Sequence, residues 1–112
     1  MKVVFLAMLL LFSCVAFSGT STTATTKITA LYTYGEDGLN NDILVTVDLP
    51  AAGCQSGFWV RSTDSIGNKN ISAYLLSAFH AQTNVYFGAY IDQLWSGSGG
   101  KFCKIHTVGL VR

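Results

Sequence analysis

The chain has 112 residues, half of them hydrophobic, with seven Lys/Arg, six Asp/Glu and a formal net charge of +1. That length allows one small domain, and near-neutrality excludes the electrostatic footprint needed to hold DNA, RNA or an anionic membrane surface. Three cysteines, one proline and two histidines leave little material for metal or acid–base chemistry.

The N-terminus reads as an export signal. Met1-Lys2 is followed by an unbroken apolar run at residues 3–12, and Ala16 and Ser18 place small residues before a cut ahead of Gly19. Ten apolar residues are too few to span a bilayer, which takes roughly 20 in a helix. Residues 11–14 (LFSC) also resemble a bacterial lipoprotein box, although Phe12 stands where a small or β-branched residue is usual. Contact with a membrane is expected only if Cys14 is lipidated. Loss of residues 1–18 removes Lys2 and leaves six basic and six acidic side chains. The localisation expected is secreted or periplasmic.

Cys54 and Cys103 then remain as an even pair. In an oxidising compartment such a pair predicts a disulfide. Closing a loop of that length contributes roughly 4 kcal/mol in the chain-entropy model, which matters for a domain this small.

Residues 19–26 (GTSTTATT) have no apolar periodicity and predict a flexible lead-in to a single domain at 27–112. Residues 27–34 alternate, with Ile28, Ala30, Tyr32 and Tyr34 on one face of a first strand. The turn-rich residues 35–41 lead to a second strand at 42–49. Residues 50–57 form a loop carrying Cys54, and 58–61 a short third strand. A helix is predicted over 71–82 with Asn70 as its N-cap and Ile71, Leu75, Ala78 and Phe79 on one face. Asn70-Ile71-Ser72 is also an N-glycosylation triplet. A fourth strand at 84–91 sets Val85, Phe87, Ala89 and Ile91 against Tyr86, Gly88 and Tyr90. After a polar loop at 92–100 comes a last strand at 101–111. There Cys103, Ile105, Thr107 and Val111 share one face, and Phe102, His106, Val108 and Leu110 the other.

This order predicts a β-rich α+β domain: a five-stranded, OB-like, partly open barrel with one helix between strands 3 and 4. An open antiparallel sheet with one packed helix is the alternative. No catalytic constellation emerges. His80 and His106 stand alone, no zinc spacing is present, and Ser96-Gly97-Ser98 precedes a strand rather than a helix. No enzyme activity, cofactor or metal is expected.

The loop at 92–100 carries the candidate site. Asp92, Gln93, Trp95 and Ser96 place an indole beside directional polar groups, the combination that stacks on a sugar ring and bonds its hydroxyls. The alternative is that Trp95 folds back to cap the end of the barrel.

Three segments carry a resemblance: Gly57-Phe58-Trp59 after Cys54, the helix residues Tyr74-Leu75-Leu76-Ser77-Ala78, and Asp92-Gln93-Leu94-Trp95-Ser96-Gly97-Ser98 before Cys103. Together they resemble small secreted bacterial proteins with a DQLWSGS loop and one disulfide, a group that transfers no activity. The element order is similar, more distantly, to B subunits of AB5 toxins. That likeness implies an OB-fold, a homo-oligomeric ring and binding of a glycan or cell-surface receptor, with no individual residue carried over. A secreted, non-enzymatic recognition domain is the expected function, with a structural or interaction subunit of a secreted or envelope assembly as the alternative.

Overall fold

The computed structural model describes residues 19–35 and 41–112. The leader, Cys14, Glu36 and Asp37 lie outside the described residues. Six strands and one helix follow in the order β1 (Thr20–Thr22), β2 (Ile28–Thr33), β3 (Asp42–Val47), β4 (Gly57–Arg61), α1 (Ile66–Ala81), β5 (Asn84–Leu94) and β6 (Phe102–Val111). The strands form one sheet, β1-β5-β6-β4-β3-β2. All neighbours are antiparallel except β4 and β6, whose parallel contact is brief: Gly57, Phe58 and Trp59 against Phe102, Cys103 and Lys104. The β-rich α+β class and the helix after β4 are as expected. The sheet has six strands rather than five, is mixed rather than antiparallel, and is not closed into a barrel.

The extra strand comes from the predicted lead-in. Thr20, Ser21 and Thr22 pair with Tyr90, Ala89 and Gly88, and Thr26 bridges to Val85. No apolar pattern announces this strand, because its stabilisation is polar. The Thr23 hydroxyl accepts the Phe87 amide (2.9 Å), and that of Thr26 accepts the Leu49 amide (2.9 Å). Thr also suits extended backbone.

The helix begins at Ile66, not Ile71. Ser65 is extended (φ −162°, ψ 165°) and its hydroxyl accepts the Asn68 amide at 3.0 Å, so Ser65 is the N-cap in place of Asn70. Asn68 ties the first turn back to β4 by donating to the Arg61 carbonyl (2.9 Å). Asn70 stands exposed on the helix. Gln82 ends it in the left-handed region (φ 52°). Leu75 and Ala78 face the core and Ile71 packs at its margin, whereas Phe79 is largely exposed.

One face of the sheet packs on α1. Val45, Phe58, Val60, Val85, Phe87 and Ile105 are buried there with Leu75, and the Phe58 and Phe87 rings stack at 4.7 Å. Two bulges reassign faces that strict alternation misplaces. Thr29 is an extra residue between the Ile28–Val47 and Ala30–Thr46 pairs, so Ile28 joins the core while Tyr32 and Tyr34 take the other side. His106 is extra between Ala89–Ile105 and Gly88–Thr107, so Val108 and Leu110 pack against the same core as Cys103 and Ile105.

Cys54 and Cys103 form the predicted disulfide, with their Cα atoms 5.5 Å apart and both residues fully buried. Cys103 is the register partner of Phe58, so the crosslink clamps the short parallel contact between β4 and β6. The bond is consistent with an oxidising, extracytoplasmic compartment. Among the described residues, no helix is long and apolar enough to cross a membrane.

Candidate functional site: the sheet face opposite the helix

The predicted site residues divide between surface and interior. Strand β5 runs on through Asp92 and Gln93, which are therefore in a strand rather than a loop. Its register on β6 jumps from Tyr90–Lys104 to Leu94–Cys103, so residues 91–93 bow away from the ladder. The side chains of Asp92, Gln93 and Ser96 are exposed. Trp95 is not: it is 5% exposed and packs with Leu44, Trp59, Tyr34 and Phe102 as a second core on the face away from α1. Its indole N–H donates to Asp42 Oδ2 at 2.9 Å. The indole is thus unavailable to a ligand, and Trp95 is corrected from binding platform to lid.

Asp42 makes this burial feasible. It is 1% exposed, and Arg61 holds it through Nε (2.9 Å) and a second guanidinium nitrogen (3.3 Å). With the Trp95 N–H, the carboxylate has three donors, which offsets the desolvation of a buried charge. The hydrogen bond to Asp42 raises the pKa of the Arg61 guanidinium above its ordinary value. A second tether joins the same segment: the Trp59 indole N–H donates to the Gln93 carbonyl at 2.9 Å. Arg61 and Lys104 lie over the Trp59 ring at 5.5 and 5.6 Å, cations on an aromatic face.

Register partners run across all six strands on this face: Thr20, Tyr90, Lys104, Trp59, Leu44 and Tyr32. The middle of the row, Trp59 and Leu44, belongs to the second core. The end formed by β1, β5 and β6 is open. Tyr86 and Tyr90 are exposed there, 38% and 36%. Tyr90 sits 4.8 Å from the His106 ring.

Two glycines let these rings lie down on the sheet. A Cβ at Gly109 would collide with the Tyr86 ring, and a Cβ at Gly88 with the His106 ring. Each aromatic side chain therefore rests on backbone left bare by its cross-strand glycine. The His106 Nδ1 is hydrogen-bonded to the Thr107 hydroxyl (2.8 Å), and its Nε2 is buried without a protein partner. The result is a shallow aromatic plate bordered by Thr20 and Thr22 of β1 and by Lys104. Its sequence signal was the glycine opposite each aromatic, visible only once the register is known.

This plate can stack on a flat apolar surface and hydrogen-bond at its rim. It holds no carboxylate hydrogen-bonded to His106. Among the described residues no group of three or more His, Cys, Asp or Glu side chains could hold a metal ion. His80 is exposed on the helix. No family model, curated protein or solved structure matches the chain.

Proposed function

We propose that this protein is a secreted, non-enzymatic recognition domain whose ligand surface is the Tyr86–Tyr90–His106 plate, and that its ligand class is a glycan. One observation carries the reading: two large aromatic side chains are left in solvent and held flat by glycines rather than turned inward. The C–H face of a pyranose ring matches such a plate in shape and polarity. Its hydroxyls find partners in the phenols, in Thr20 and Thr22, and in Lys104. Asp92 and Gln93 follow Tyr90 on β5 and extend the polar rim, so these two of the originally expected residues keep a role.

The finer architecture belongs to the same reading. Residues 19–33 bond to β5 through β1 and to β3 through β2, supplying strands at both ends of the sheet. This supports a partly open OB-like barrel in which that segment is one bent strand, the arrangement of the toxin B subunits that the element order resembles.

A glycan array probed with the disulfide-intact protein tests the proposal. The Tyr86→Ala/Tyr90→Ala double variant is expected to lose at least about tenfold in affinity for whatever the parent binds, about 1.4 kcal/mol. Failure of the parent to bind any glycan, or unchanged binding by the double variant, overturns it.

A further inference from the structure

We infer that β2 is the edge at which two copies of this chain pair, antiparallel and related by a two-fold axis. The inference is independent of what the aromatic plate binds.

The two ends of the sheet differ. The β1 end is three residues long and polar, and shortness of that kind protects an edge from pairing. The β2 end is six residues, Ile-Thr-Ala-Leu-Tyr-Thr, with no charge, proline or glycine. Its inner side pairs with β3, and among the described residues no strand pairs with its outer side. Beside it, α1 and the edge enclose an apolar groove of about 450 Å³ lined by Leu31, Thr33, Ile43, Ala73 and Leu76. Tyr32 on one side of the edge and Leu76 on the other are each 53% exposed. By contrast, the part of β6 that runs beyond β4 faces polar Asn68, Asn70 and Tyr74 of α1 across its own cleft.

The occupant that fits is a second β2. Antiparallel pairing places residues of like face opposite one another. With Leu31 at the two-fold axis, the two Leu31 side chains meet on the helix side and join the two apolar grooves. On the other side each Tyr32 lies over the partner's Ala30, large against small, twice. The flanking charges agree. In the sequence β2 is preceded by Lys27 and followed, after Tyr34-Gly35, by Glu36-Asp37. Antiparallel copies bring the basic end of one strand to the acidic end of the other. The contact is isologous and closed, so it stops at two copies.

Sedimentation equilibrium and native mass spectrometry of the disulfide-intact protein provide the test. The expected mass is that of two chains, with dissociation weakened at least about tenfold by Leu76→Glu and, separately, by Tyr32→Lys. Both positions are mostly exposed, and an unchanged melting temperature of the dissociated variant shows that the fold survives. Raising the salt concentration is expected to weaken the dimer. A monomer across the micromolar to millimolar range overturns the inference. So does a ring of more than two copies, which requires β2 to meet a different edge, or a dimer that neither substitution affects.

Discussion

The face of the sheet away from α1 has two halves built from similar residues, and they have opposite fates. Over β3 and β4, Leu44, Trp59 and Trp95 are buried together with an ion pair. Over β5 and β6, Tyr86, Tyr90 and His106 lie on the surface. Aromatic content does not separate them. What does is whether a neighbouring segment can satisfy the polar atoms that burial strips of water. The strap after Leu94 brings an indole whose N–H finds Asp42, and a carbonyl at Gln93 that takes the Trp59 N–H. No segment crosses the other half, so its rings flatten onto glycines and stay wet. An aromatic that can be hydrogen-bonded from above becomes core, and one that cannot becomes surface available to a partner.

The largest expected effect breaks the covered half. Trp95→Ala removes the lid and one donor from a buried carboxylate, and is expected to cost about 3–5 kcal/mol in urea unfolding. If the loss is below about 1 kcal/mol, the lid contributes little and the two halves are alike. Tyr90→Ala serves as the matched control, expected to change stability by less than about 1 kcal/mol because the ring is already in water.

The disulfide sharpens the comparison, since it joins the loop entering β4 to the strand that starts β6. The Cys54→Ser/Cys103→Ser pair is expected to lose roughly 4 kcal/mol. Hydrogen exchange is expected to rise first at residues 57–59 and 102–104, where the parallel contact is short. Protection that falls elsewhere first would place the clamp in the wrong region.

The smallest effect concerns the open half. Gly88→Ala forces the His106 ring off the sheet and is expected to cost about 1–2 kcal/mol. It is also expected to shift the His106 and Tyr90 ring resonances. An unperturbed spectrum would mean that His106 does not rest on Gly88.

The core side of the fold was legible because alternation in β3, β4 and β5 and the Leu75–Ala78 spacing in α1 report burial directly. The failures have separate physical causes. Strand β1 is polar and held by threonine hydroxyls, so hydrophobic periodicity is silent about it. The bulges at Thr29 and His106 insert one residue each and flip the faces beyond them. The start of α1 was displaced by Asn70, a good cap type, while Ser65 was the residue with its side chain on a free amide. The burial of Trp95 depends on Asp42, 53 residues away in the sequence. An acid at the head of an apolar strand was the only local hint, and it named no partner.

The central claim is that recognition belongs to the open half and not to the Trp95 strap. A heteronuclear NMR titration with a glycan selected on the array tests it most directly. The account predicts chemical-shift changes at Tyr86, Tyr90, Lys104 and His106, with the Trp95 indole N–H protected from exchange and unmoved. Rapid exchange of that indole proton, together with shifts centred on Trp95 and Ser96, would contradict it.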